Sequence, residues 1–212
     1  MAWLEPEEQD KFLGLAEQFS WPKKTLREEV HKYKAGKQFE DKAAPNGKYR
    51  IIYADPPWAY GNTMPDYFGV QDDHYPVMQL SDICAMPIQG LSEDNSVMFL
   101  WATSPILREA FDVVRDWGFE YKTSFVWDKV KHVMGHYNSV RHEFLLLCVR
   151  GSCRPDEKKL FDSVYSEERT EHSKKPEYFR QVIDTLYPHG KRIELFARSK
   201  HEKWDCWGNE VS

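Results

Sequence analysis

From Tyr49 onward the chain alternates short apolar runs with amphipathic ones, and no other feature limits its fold as much. "YRIIYA" (49–54) and "SVMFLWA" (96–102) are continuous apolar runs of the length of a strand buried on both faces. Between the second of these and "FEYKTSFVW" (119–127) lies "TSPILREAFDVVRDWGFE", which reads as a helix. Ser104 stands at the N-cap, Pro105 in the first turn and Gly118 at the stop, with Ile106, Leu107, Ala110, Phe111, Val114 and Trp117 on one face. "HEFLLLCVR" (142–150) and "SVY" (163–165) read as further strands. "KPEYFRQVIDTLYPHG" reads as a helix with Tyr178, Phe179, Val182, Ile183, Leu186 and Tyr187 on its buried stripe, stopped by Pro188 and Gly190; "RIELFA" (192–197) closes the pattern as a strand. Such βαβ alternation predicts an α/β fold, a mostly parallel sheet with helices on both faces, and such sheets bind ligands at the carboxyl ends of their strands.

The 212 residues suit one domain of ordinary size, here residues 45–212, preceded by a helical extension over 1–44. That extension reads as two short helices, one over Glu7 to Phe19 and one opening at Ser20-Trp21-Pro22. Lys23, Lys24, Arg27, Lys32, Lys34 and Lys37 face only Glu28 and Glu29 there, which fits either a solvated helix face or a phosphate-contacting patch. The formal charge of −5 does not announce a nucleic-acid binder, so any such binding must come from local patches. The 8 Trp, 11 Tyr and 12 Phe are many for this length; aromatics fill cores and also stack on bases. Four cysteines without a C-x-x-C pair read as free thiols in a reducing, cytoplasmic setting. The longest apolar run, "FLLLCV" (144–149), is too short to span a bilayer.

"YADPPWAYG" (53–61) supplies the candidate chemistry. Prolines cannot donate to a ladder and hold the chain extended, so Pro56-Pro57 ends the strand in a rigid turn at its carboxyl end. Asp55 and the Pro56 carbonyl then offer two acceptors to one ligand group, which suits an amine with two hydrogens such as the exocyclic N6 of adenine. Trp58 or Tyr60 offers a ring for stacking the base. Adenine N6 is a poor nucleophile because its lone pair is delocalised, and accepting hydrogen bonds from both its protons localises that pair as a methyl group approaches. A neighbouring carboxylate stabilises the positive charge that develops on nitrogen. A bare "DPPW" is also an ordinary proline-rich loop, but the strand before it and the aromatics after it favour the functional reading.

At these residues the sequence resembles the N6-adenine methyltransferases typified by the catalytic subunit of the eukaryotic messenger-RNA adenosine methyltransferase, together with bacterial and phage relatives. The likeness runs through "ADPPW" (54–58), "FLWAT" (99–103), "WGFEYKTSFVWDK" (117–129), "GHYNSVRHEFLLLCVRG" (135–151), "EHSKKPEYF" (171–179), "IELFAR" (193–198) and "WDCWGNE" (204–210). It implies S-adenosylmethionine as donor on a Rossmann-like sheet with permuted motif order, which accounts for the lack of a G-x-G-x-x-G motif. It assigns Asp55, Pro56, Pro57 and Trp58 to the amine site, with Asp55 also meeting the cofactor's amino group. Lys175 goes to the methionine carboxylate, and Glu194, Arg198 and Asn209, with Glu210 beside it, to the ribose and adenine end. The chain departs from the pattern at Tyr137 and Arg141, where many bacterial relatives carry Trp and Asn, and at Lys200 and His201, where the eukaryotic subunit has His and Asn.

The segment 128–142 holds Lys129, Lys131, His136, Tyr137 and Arg141, candidates for gripping the phosphates beside a flipped nucleotide, though a solvated loop fits as well. His132 and His136 have the spacing of a metal pair, but no Glu follows His132 and Gly135 opposes a helix, so no metal is expected. The sequence reads as an adenine N6-methyltransferase on flipped or single-stranded nucleic acid, with DNA favoured and RNA the alternative, and a homodimer or a partner subunit is compatible with it. A non-catalytic scaffold is the competing class, and the presence of Asp55 argues against it.

Overall fold

A computed structural model describes residues 4–23, 25–27, 29–30, 33, 45, 47–59, 77–133, 137–170 and 174–208. The described residues form a seven-stranded sheet: β1 (Tyr49–Ala54), β2 (Ser92–Thr103), β3 (Glu120–Val133), β4 (Val140–Arg150), β5 (Val164–Ser166), β6 (Arg192–Leu195) and β7 (Asp205–Trp207). Their spatial order is β5-β3-β4-β2-β1-β6-β7. β1 runs parallel to β2 and β6, β6 to β7, and β3 to β5, whereas β4 is antiparallel to both its neighbours. One reversed strand therefore sits in an otherwise parallel sheet, consistent with a Rossmann-like methyltransferase fold in permuted order. β1 and β6, far apart in sequence, lie side by side, so the chain crosses back over the sheet between them.

Strand alternation sorts the core into two layers. Ile52, Ala54, Met98, Leu100 and Ala102 face one side. There they pack on α2 (Leu80–Ala85), α3 (Ile88–Leu91) and α4 (Leu107–Asp116) through Ile83, Ile88, Ala110, Val113 and Trp117. Ile51, Tyr53, Val97, Phe99 and Trp101 face the other, against Phe179, Val182, Ile183 and Leu186 of α5 (Glu177–Leu186). Helices thus cover both faces. At the N-terminus α1 (Pro6–Gln18) packs with the helical residues described between 23 and 33 around Leu4, Phe12 and Val30. No described helix is long and apolar enough to cross a membrane.

The chain departs from its sequence pattern in places. Ser104–Ile106 forms a 3-10 turn ahead of α4, and the Ser104 hydroxyl meets His142 Nε2 at 3.0 Å instead of capping the helix. Phe111 is 40% exposed rather than buried, its ring edge-on to Tyr121, while Val113 takes the inward position. Gly118 ends the helix at φ +78° as expected. β2, β3 and β4 run longer than their apolar runs, and "SVY" pairs as Val164–Ser166.

Candidate active site at the carboxyl edge of the sheet

Asp55 follows the last residue of β1 directly. The turn after it is pinned by backbone bonds: Trp58 N–H donates to the Pro56 carbonyl (2.9 Å), Met78 N–H to the Pro57 carbonyl (2.8 Å) and Ala59 N–H to the Met78 carbonyl (3.2 Å). Among the described residues the bond from Trp58 uses one lone pair of the Pro56 carbonyl, and a carbonyl oxygen carries two. Trp58 is not placed as a stacking surface. It is 7% exposed in the core layer under α4, and its indole N–H donates to the Trp101 carbonyl at 3.1 Å. A large ring with one polar atom lowers its free energy more by filling this space and satisfying that atom than by facing water. Tyr60 lies outside the described residues.

Register shows which side chains share the site. Asp55 is two residues beyond Tyr53, Tyr53 pairs with Glu194, Thr103 with Glu143, and Glu143 with Trp127. Because Tyr53, Trp101, Trp127 and Leu145 all line the α5 layer, the period of two puts Asp55, Glu194, Glu143 and Lys129 on that same face at the carboxyl edge. Lys175, in the two residues before α5, joins them.

The result is a row of alternating charges. Lys175 Nζ lies 2.7 Å from Asp55 Oδ2 and 3.3 Å from Glu143 Oε2, and the other oxygen of Glu143 receives the ammonium of Lys129. The lysines also lie over indole rings, Lys175 5.3 Å from the Trp101 centroid and Lys129 5.2 Å from that of Trp127. Burial pushes the Asp55 carboxyl above its ordinary range, with Lys175 pulling against it and Glu143 adding to it. Burial disfavours the charged form of Lys175, but the two carboxylates outweigh it and raise its pKa. For Glu143 burial is likewise outweighed, by Lys175 and Lys129, which hold its carboxyl low. Glu143 was given no role from sequence, although an acid inside "RHEFLLLCV" signals a buried charge that needs a partner.

Beside this row, Glu194 Oε2 accepts from Arg180 Nη1 at 2.7 Å, and His201 Nε2 lies 3.9 Å from the same oxygen. Arg198 is exposed, and its charge reaches Asp55 as a weak attraction. The exit of β6 bends sharply: Phe196 has φ +62°, Ala197 N–H donates to the Trp207 carbonyl at 3.0 Å, and a Cβ on Gly208 would lie 2.2 Å from the Ala197 oxygen.

Among the described residues of the segment 128–142, the lysines and the arginine expected to grip phosphate are paired. Lys129 is half-buried against Glu143, Lys131 meets Glu168 at 2.6 Å, and Arg141 meets Asp128 at 2.9 Å. Tyr137 is fully exposed. His136, Asn209 and Glu210 lie outside the described residues.

The MT-A70 family model matches residues 49–210, which contain every described strand and both site clusters. A "Type II methyltransferase M.MunI" from Mycoplasma sp is 32% identical over 185 residues, covering 79% of each chain. A "Putative N(6)-adenosine-methyltransferase MT-A70-like" of Medicago truncatula is 28% identical over 177 residues, 78% of this chain and 27% of its own. The human "N(6)-adenosine-methyltransferase catalytic subunit METTL3" is 26% identical over 175 residues, 78% of this chain and 28% of its own. The chain thus spans about a quarter of the length of these eukaryotic relatives. With the matched region spanning the whole sheet and its charged carboxyl edge, the chain belongs to the MT-A70 family and is an S-adenosylmethionine-dependent N6-adenine methyltransferase acting on nucleic acid.

Proposed function

We propose that Asp55 and the Pro56 carbonyl hold the two hydrogens of an adenine N6 amine, with the cofactor seated on the same edge between Lys175 and Glu194. The observation that carries this reading is the Asp55–Lys175 pair at 2.7 Å, with Glu194 on the neighbouring strand facing the same layer. A carboxylate beside an ammonium complements the ammonium and carboxylate of an amino acid, and a second carboxylate one strand away suits a ribose diol. The donor set therefore fits S-adenosylmethionine, which supplies a methyl group activated on sulfonium. Arg198, Asn209 and Glu210 complete its nucleoside end in this reading.

The chain's own part is orientation and charge. Asp55 accepts one N6 hydrogen and Pro56 the other, which turns the nitrogen lone pair toward the incoming carbon, and Asp55 stabilises the positive charge that follows. Lys175 leaves Asp55 for the cofactor carboxylate while Glu143 keeps hold of its ammonium, so the lysine is guided rather than released. Lys131 trades its exposed acidic partner Glu168 for phosphate, since such surface pairs are worth only about 0–1 kcal/mol, and the half-exposed Arg141 turns from the more covered Asp128, which keeps the Val130 N–H and the Ser166 hydroxyl as donors. Lys129 stays with Glu143, and its role is to fix that acid.

For the polymer, relatives named N(6)-adenosine-methyltransferases support the RNA alternative more than the DNA favoured from sequence, and the Type II methyltransferase keeps DNA as the second reading. Transfer of a tritiated methyl group to matched single-stranded RNA and DNA, followed by nucleoside analysis, tests both. N6-methyladenosine or its deoxy counterpart is the expected product. Label confined to cytosine, or none with either strand, would overturn the reading.

A further inference from the structure

Behind Glu194 lies a buried cation to which the sequence pattern gave no role. Arg180, in the first turn of α5, is almost wholly enclosed. Its Nη1 donates to Glu194 Oε2 at 2.7 Å, Nε lies 3.3 Å from Glu177 Oε2, and Nη2 lies 3.2 Å from His201 Nε2. The rings of Tyr53 and Trp204 lie 5.2 and 5.4 Å from its guanidinium carbon. A cation at the N-terminal end of a helix opposes the helix dipole, and burial adds a desolvation cost. The position is accounted for by its acceptors, of which Glu194 is the closest. Among the described residues that contact engages one oxygen of Glu194 and leaves Oε1 to accept from a ligand.

We infer that Arg180 is a positioning residue for the cofactor. It fixes one oxygen of Glu194 so that the other is presented to the ribose hydroxyls of S-adenosylmethionine, and His201, whose Nε2 lies 3.9 Å from that fixed oxygen, meets the second amino group of the guanidinium. This rests on the reading of Glu194 given under the proposed function. A planar fork holding Glu194 and His201 at once is a geometry that lysine reproduces only in part.

The test uses the full chain and the variants Arg180→Met, Arg180→Lys, Glu194→Gln and the double variant Arg180→Met with Glu194→Gln. Each is titrated calorimetrically with S-adenosylhomocysteine and with methylthioadenosine, which carries the nucleoside but no amino acid. Arg180→Met is expected to weaken both ligands by about tenfold or more, with kcat at saturating cofactor largely kept. Arg180→Lys is expected to recover part of the affinity, and Arg180→Met to add little once Glu194→Gln is present. If Glu194→Gln weakens binding but Arg180→Met lowers only the melting temperature, Arg180 is a brace and the inference is overturned. If Glu194→Gln itself leaves both affinities unchanged, the reading of Glu194 fails and takes the inference with it. Should Arg180→Met not fold, Arg180→Lys decides: weakened nucleoside affinity with kcat retained supports the inference, and unchanged affinity overturns it.

Discussion

Lys175→Met tests the charge row in isolation from turnover. The methionine keeps the length of the side chain and its contact with Trp101 but removes the ammonium that lies 2.7 Å from Asp55 and 3.3 Å from Glu143. Glu143 still has Lys129, so the stranded charge is chiefly that of Asp55. Breaking a buried pair by deleting one partner costs about 3–5 kcal/mol, and the 22% exposure of Asp55 places this case near about 3 kcal/mol. Against a total stability of about 5–15 kcal/mol that is a large loss. For a chain of this size it lowers the melting temperature by about 6–12 °C. The sign with pH follows from Asp55. Its folded pKa lies above the unfolded value of about 3.9, so the ionised group opposes folding more as pH rises through that window and less as pH falls. Urea denaturation followed by circular dichroism, at neutral and at mildly acidic pH, should show the gap between variant and parent narrowing in acid. Adding Asp55→Asn to the variant should return most of the loss. A variant as stable as its parent at neutral pH, or a gap that acid leaves unchanged, would refute the reasoning.

Trp58→Phe should lower stability by about 1–3 kcal/mol, because the buried Trp101 carbonyl loses its donor, while KM for the nucleic acid stays near the parent value; the reverse pattern would restore Trp58 as a stacking surface. Gly208→Ala should depress the melting temperature and cofactor affinity together, since the new Cβ meets backbone atoms at Ala197 and Phe196 rather than a side chain able to move aside; an unperturbed melting curve would count against the close approach drawn here. Lys175 has a raised folded pKa, so its stabilisation is fully present below the unfolded lysine value of about 10.4 and is lost only as pH rises through the higher folded value. An alkaline titration of the parent should show that extra loss, and Lys175→Met should lack it.

The sheet was legible because its strands are buried on both faces and therefore apolar without interruption; β1 has the bounds that "YRIIYA" implies. β7, α2 and α3 were not foreseen, since segments of three to six residues carry too little periodicity to declare themselves. The reversal of β4 was hidden for another reason: apolar runs do not record strand direction. At the site, motif and resemblance single out Asp55 and Lys175, and the structure brings those two side chains into contact. Glu143 and Arg180 carry no such signal, because their contacts depend on which strand and helix face each other across the sheet. Trp58 shows the same limit from the other side, since the sequence supplies a ring but not the face on which it packs.

The central claim is that methyl transfer takes place at the carboxylate and carbonyl of Asp55-Pro56. A crystal structure with S-adenosylhomocysteine and an adenine-containing oligonucleotide tests it most directly. The N6 nitrogen is expected within hydrogen-bonding distance of the Asp55 carboxylate and the Pro56 carbonyl, with the cofactor sulfur on the opposite side of that nitrogen along the line of transfer. A sulfur lying at the amino-terminal edge of the strands, or an adenine amine held away from Asp55, would contradict it.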